Sequence, residues 1–453
     1  MASSTELLST AQMSLGLWGC PFLCRSERPS MHYTRCLLLL LAGLLELSHS
    51  QPDQEEPDNT TNQTYRQFSQ QNISSYQIAS GNANFAFRLY HLIASQNSEK
   101  NIFFSPLSIS VSLAILSTGA GGDTQAQILE GLGFNLTKLS LPEIHEGFRS
   151  LQHTIARPFT EPQISVGSAL ILSQNLQILS EFVSAIETSY NSKVLHANFR
   201  DKEAAVQLIN NYVKQNTQGK IKNLVSDLSP DVKMVLVNYI FFQGLWKKPF
   251  PSSRVSTSDF YVDENTVVKI PMMLQDKEDH WYLEDRRVPC TVLRMDYRGD
   301  AVAFFILPDQ GKMNEVEQVL SPGMLLRWKR LLQNRFFYRK LILQLPKFSI
   351  SNSYELDEIL PDLGFQDLFT PNANFSNISK KEKLYLSKVF HKTVLDVNEV
   401  GTKAAAATGS FATFFSAQPK KRYLIFNRPF LVILYSTSSQ DILFMGKVVN
   451  PTA

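Results

Sequence analysis

The apolar positions of the chain change their spacing along its length. Early on they recur at helical intervals, in "ANFAFRLYHLIASQ", "SPLSISVSLAILSTGAGG", "DTQAQILEGLG", "EFVSAIETSY" and "EAAVQLINNYVKQNTQG", and several of these end at glycine, as helices do. From the middle onward, strand-like runs dominate: "QISVGSALILS", "KMVLVNYIFFQGLW", "VVKIPMML", "CTVLRMDY", "AVAFFILP" and "KLILQLPKFSIS". Two more, "LYLSKVFHKTVLDV" and "YLIFNRPFLVILYS", lie near the end. Helices first and antiparallel-looking strands later predict an α+β fold with large sheets. Residues 51–77 are polar, acidic and almost free of aliphatics, and are expected to form a disordered arm. No linker, composition break or repeat follows Ile78, so 78–453 is expected to be one domain.

Between the last two strand segments lies "EVGTKAAAATGSFATFFSAQPKKR", with four consecutive alanines, two phenylalanines and a basic end. Structureless loops longer than ~12–15 residues are uncommon in compact domains, and those that exist are disordered or functional. This one therefore needs a reason.

The first 50 residues do not read as part of a fold. Arg35 precedes an apolar run from Leu37 to Leu45, and Ser48 and Ser50 are small residues suited to signal peptidase. Residues 31–50 are read as a secretory signal cleaved before Gln51, and residues 1–30 as an upstream extension. The run is too short for a membrane span. Cys20, Cys24 and Cys36 fall in the removed segment, which leaves Cys290 as a small buried residue rather than half of a disulfide. Six sequons, at Asn59, Asn62, Asn72, Asn135, Asn374 and Asn377, suit an extracellular glycoprotein. A net charge of +3 excludes a general polyanion binder, so any basic function must come from local clusters.

Enzyme signatures are missing. "STGAGGD" lacks the spacing and preceding strand of a dinucleotide loop, and no nucleophile elbow, zinc-protease or phosphate-loop motif occurs. His145, His153, His196, His280 and His391 are scattered without metal-ligand spacing. No catalytic residue, metal or cofactor is expected.

Four segments, in order, carry a resemblance: "NIFFSPLSIS", "LVNYIFFQGLWKKPF", "HKTVLDVNEVGTKAAAAT" and "FNRPFLVILYSTSSQDILFMGKVVNP". They resemble the serpins, from about Asn82 to Pro451. The resemblance implies three β-sheets, eight or nine helices and an exposed reactive-centre loop over about 401–422. It places a hinge at Glu399, Gly401, Thr402, Ala404, Ala405, Ala406, Ala407 and Thr408, and a scissile bond between Phe415 and Ser416. It also implies a polar shutter of Ser105, Ser108, Asn238 and His391, and a tryptophan, Trp246, at the breach of the main sheet. Lys403 departs from the family pattern, which usually has glutamate there.

The family mechanism is a suicide trap: a serine protease acylates itself on the bait residue, and the cut loop then enters the main sheet as a new strand. The loop can be checked against that, since a strand has period two. Thr402, Ala404, Ala406, Thr408, Ser410 and Ala412 share one parity and are all small. The other parity holds Lys403 and Phe411. One face can thus slide under a tight cover while the other points outward. A non-inhibitory carrier or chaperone is the alternative, and the small hinge residues favour the inhibitor.

Phe415 suits a deep apolar specificity slot, so chymotrypsin-like proteases are expected, and resemblance within the family adds tissue kallikrein. The run "RWKRLLQNRFFYRK" is basic without an acid. Resemblance to a heparin-binding member implies a site there for heparin or another sulfated glycosaminoglycan, made by Arg339 and Lys340 with Lys329, Arg330 and Arg335. A secreted, extracellular monomer is expected, with no nucleic-acid partner and no membrane span.

Overall fold

In a computed structural model of the chain, the residues described are 59–155, 163–401 and 422–453. They form eight α-helices: α1 (Asn59–Gln96), α2 (Pro106–Gly119), α3 (Gly122–Gly131), α4 (Leu141–Ile155), α5 (Ser180–Tyr190), α6 (Lys202–Asn216), α7 (Met313–Val319) and α8 (Pro322–Leu331). The strands of the first half are β1 (Ile102–Phe104), β2 (Gln163–Ser173), β3 (Lys193–Ala197), β4 (Met234–Gln243), β5 (Val255–Tyr261), β6 (Val267–Gln275), β7 (Asp279–Asp285) and β8 (Cys290–Asp296). Those of the second half are β9 (Ala301–Pro308), β10 (Tyr338–Lys340), β11 (Ile342–Pro346), β12 (Phe348–Glu355), β13 (Lys388–Val397), β14 (Tyr423–Ile425), β15 (Phe430–Ser436) and β16 (Ile442–Val448). Residues Tyr65–Ala453 group into one compact unit.

The sheets number three, as the resemblance implied. The largest has the order β1-β16-β15-β9-β8-β7-β10, the second β14-β11-β6-β5, and the third β12-β13-β4-β2-β3. Most neighbours are antiparallel, but β4 and β13, at the centre of the third sheet, run parallel. Helix α2 shows why such a sheet needs a cover. It is buried at nearly every position, and its start is set by Ser105, whose hydroxyl accepts from the Ser108 backbone N–H, and by Pro106 in the first turn. Its capping Ser105 and its serines at 108 and 112 turn out to be the polar lining of the sheet.

Two expectations change. Helix α1 begins at Asn59, so the segment 51–77 taken as a disordered arm is helical over much of its length. No proline or glycine between Asn59 and Ser80 interrupts the helix that packs from Ile78 onward. The run "KLILQLPKFSIS" is two strands in different sheets, β11 and β12, which part at Lys347. Cys290 is buried as expected, and desolvation pushes its thiol up to about 12, which leaves it unreactive. No described helix is long and apolar enough to cross a membrane, and no described cluster of His, Cys, Asp and Glu would hold a metal.

Candidate functional site: the seam of the third sheet and the hinge above it

Strands β4 and β13 pair in parallel from Lys388↔Val235 to Val394↔Phe241, with His391 opposite Asn238. Beneath this seam sits the N-terminal half of α2, and the four expected shutter residues meet there. The His391 Nε2 accepts from the Ser105 backbone N–H at 3.1 Å, which leaves the ring proton on Nδ1 to be donated to Asn238 Oδ1 at 2.5 Å. Asn238 Oδ1 also accepts from Ser108 Oγ at 2.8 Å, and Asn238 Nδ2 donates to the Ser108 carbonyl at 2.8 Å and to Ser112 Oγ at 2.7 Å. All are buried. Desolvation lowers His391 to about 3, so the ring is neutral, as its bonding requires.

The network is wider than the motif suggested. Ser112 and Ser168, their hydroxyls 2.6 Å apart, extend it to β2, and the ring of Tyr354 of β12 is nearly parallel to that of His391, 6.4 Å away between centres. Tyr354 also faces His391 across the β12–β13 ladder. A signal was present in the serine spacing of the helix, but serines at 108 and 112 also suit a plain helix surface until the helix is known to be buried.

Above the seam, the hinge is fastened at its base. Trp246 is buried, its indole N–H donates to the Asn398 carbonyl at 3.0 Å, and its backbone N–H donates to Val400 O at 2.8 Å. It stacks on Tyr297 at 4.1 Å between ring centres. The Phe250 N–H donates to Glu399 O at 2.7 Å, and the Glu399 carboxylate pairs with Lys347 at 3.1 Å. Gly401 adopts φ +146°, and a Cβ there would meet Gly244 O at 2.1 Å, so only glycine fits this crossing. Asn398 completes the clamp, since its Oδ1 accepts from the N–H groups of Val400 and Gly401. Neither Asn398 nor Lys347 was singled out by motif. The remaining hinge residues, Thr402, Ala404, Ala405, Ala406, Ala407 and Thr408, and the bond between Phe415 and Ser416 lie outside the described residues.

The basic run divides. Arg327 forms a two-pronged pair with Asp285, at 2.6 and 2.7 Å, which Trp328 Nε1 joins at 2.8 Å. These partners hold Asp285 down to about 2 against its own desolvation. Lys329 faces β15, bonding Tyr435 Oη and Gln440 Oε1, and burial lowers its ammonium to about 8. Lys329 is thus engaged in the fold rather than displayed for a polyanion. Arg330, Arg335 and Lys340 are exposed, and the Arg339 guanidinium lies 4.5 Å over the ring of Tyr282. Lys340 donates to the Lys277 carbonyl at 2.7 Å and stands 3.9 Å from Asp279. Asn135, Asn374 and Asn377 are exposed; the side chains of Asn59, Asn62 and Asn72 lie outside the description.

The family model for Serpin (serine protease inhibitor) matches residues 80–451. Kallistatin from Homo sapiens is 57% identical over 425 residues, which cover 93% of this chain and all of that protein. Among solved structures, human glycosylated kallistatin superposes with a TM-score of 0.80 at 58% identity, covering 83% of this chain and 99% of the other. Cleaved kallistatin complexed with heparin gives 0.70 at 59% identity, covering 72% of this chain and 96% of the other.

Proposed function

The chain belongs to the serpin family, and we propose that it is a secreted suicide inhibitor of chymotrypsin-like proteases or tissue kallikrein that binds heparin. The observation that carries this reading is the parallel seam. The chain leaves β13 at Val397, is clamped at Gly401, and continues directly into the small-residue loop. A segment folding back from the top of β13 runs antiparallel to β13, and therefore antiparallel to β4 as well. Inserted between them, it replaces one parallel ladder by two antiparallel ones, the slightly more stable pairing per residue.

The chemistry begins on the bait. A protease serine adds to the Phe415 carbonyl, the C–N bond to Ser416 breaks, and the new amine leaves with the proton that the protease histidine took from the serine. The acyl-enzyme is now attached to a loop with a free end. The parity of Thr402, Ala404, Ala406, Thr408, Ser410 and Ala412 lets that loop slide over α2 with small side chains inward. The Asn238–His391 seam must part to admit it. Insertion carries the ester to the far end of the sheet and pulls the protease active site out of shape before water can cleave it.

Heparin is assigned to Arg330, Arg335, Arg339 and Lys340, on the likeness to kallistatin and on their closeness along one segment. Secretion and glycosylation follow from the signal segment, the exposed sequons and the glycosylated relative. The deciding experiment mixes the mature chain with chymotrypsin and with tissue kallikrein and reads a denaturing gel. A covalent complex stable to SDS is expected with at least one of them. Recovery of cleaved chain alone would reject the trap in favour of a carrier role.

A further inference from the structure

A cation-rimmed pocket of about 420 Å³ opens beside the breach, between the turn after β4 and the strands β7, β8 and β10. Cations dominate its rim. Lys247 and Arg335 are exposed, and among the described residues neither is paired with an acid. Lys248 is held by Glu278 at 2.9 Å and donates to Tyr338 Oη at 2.8 Å, which leaves the phenol proton free to donate. Arg294 is tied to Asp296 at 2.7 Å. Asp279, the other carboxylate on the wall, stands 3.9 Å from Lys340. The pocket is therefore net positive.

Its interior holds an unfilled bond. His280 lines the pocket, is only 5% exposed, and its Nε2 is buried without a partner. Buried polar atoms in folded proteins are nearly always satisfied, so this nitrogen, shut off from the open part of the pocket, is a polar group that a ligand could satisfy after a small shift of the His280 ring. The rest of the wall is Trp281, Tyr338 and Met295; the two rings pack on each other at 4.7 Å between centres and stay half-buried, which leaves apolar surface that a bare ion would not cover. The volume falls in the range of small-molecule sites and holds one substituted ring.

We propose that this pocket binds a small ring-bearing organic anion, a sulfate or carboxylate on a planar or sugar ring. Its acid group meets Lys247 and Arg335, while its ring lies toward Trp281, and the His280 and Tyr338 protons bond its oxygens. Occupancy has a consequence at the hinge. The Lys247 N–H donates to Asp296 O at 2.8 Å, and Lys247 and Lys248 lie between Trp246 and Phe250, the two residues whose N–H groups hold Val400 and Glu399. A ligand gripping this segment steadies the clamp and slows loop insertion. The regulatory half rests on the insertion mechanism above; the binding half does not, though it shares Arg335 with the heparin assignment.

The test is calorimetric titration of the full mature chain with 4-methylumbelliferyl sulfate. One saturable site is expected, weakened about tenfold by Lys247→Ala and by His280→Phe, with melting temperatures confirming that each variant is folded. No saturable binding, or binding indifferent to both substitutions, overturns the site. Displacement of the probe by a heparin tetrasaccharide would identify the natural source as a polysaccharide end, and failure to displace it would identify a free small anion. At saturation the probe should lower the ratio of covalent complex to cleaved chain at least twofold in the parent and leave Lys247→Ala unmoved. An unchanged ratio in the parent overturns the coupling. A parent that forms no complex at all rejects the trap mechanism and leaves the binding result standing.

Discussion

Asn238 and His391 face each other across a parallel strand pair and share a hydrogen bond of 2.5 Å at the seam that the proposed insertion would open. Asn238 also satisfies Ser108 and Ser112. Asn238→Ala strands several buried polar groups at once, each costing about 1–3 kcal/mol. A loss of roughly 3 kcal/mol or more is expected, read as a lower urea midpoint. A midpoint within experimental error of the parent would mean that these bonds do not hold the seam.

Two buried groups impose opposite pH dependences. His391 sits at about 3 when folded against an ordinary 6.5, so the unfolded chain takes up a proton first, and stability falls as pH drops from 6.5 toward 3. Asp441 behaves the other way. It is buried, accepts from Asn82 Nδ2 at 2.9 Å, and desolvation raises it from 3.8 to about 7. Its Oδ2 and the Oδ1 of Asn82 are both buried without a donor, and a proton on Asp441 is the donor they lack. Here the folded chain holds the proton more tightly, so stability falls as pH rises from 3.8 to 7. Asp441→Asn should therefore stabilise the chain by about 2 kcal/mol at pH 8. At pH 4 it should have little effect, the comparison being made by thermal melts at the two pH values.

Much of this was legible in the chain. The edges of β9 coincide with the apolar run "AVAFFILP", because that strand is buried at every position and ends where the apolar run ends. Helix α8 was hidden, since its basic face reads as a charge cluster unless Arg327 is known to pair with Asp285, 42 positions away. The hinge motif marked Gly401, but the clamp that makes glycine necessary comes from Gly244 and Asn398, whose part depends on where the chain crosses itself. Pairings across long sequence separations leave no local periodicity, which is also why the pocket around His280 could not be read from sequence.

Thr402→Arg tests insertion. The substitution puts a charge on the inward parity at the first residue to enter the sheet, where burying it unpaired costs several kcal/mol. Insertion should stall and acyl-enzyme hydrolysis should win, giving cleaved chain and active protease. Lys403→Glu, on the outward parity, should trap nearly as well as the parent. Equal trapping by Thr402→Arg would exclude an inserted strand in this register.

Specificity should move with one side chain. Phe415→Arg exchanges an apolar bait for a cationic one and should shift trapping from chymotrypsin toward trypsin-like proteases with the fold intact. Mass spectrometry of the cleaved chain should place the cut between residues 415 and 416 in both proteins. A cut elsewhere would move the assignment.

Heparin binding should separate the two cations at the end of the run from Lys329. Arg339→Ala with Lys340→Ala should lower the salt needed for elution from heparin resin and flatten the salt dependence, because fewer ions are released on binding. Lys329→Ala should leave elution nearly unchanged and lower the melting temperature, since its ammonium serves Tyr435 and Gln440. The reverse order of effects would reassign the patch.

Strand β14 is three residues long, at the edge of its sheet, and holds on through a parallel pairing of Tyr423–Ile425 with Ile342–Gln344. The other end of the loop is clamped at Gly401. If the loop inserts as proposed, an uncut loop held at both ends should not reach full depth in the third sheet, and β14 would act as a detent. The lifetime of the uncut chain should then follow how often this short edge strand lets go, a clock that would run with no protease present.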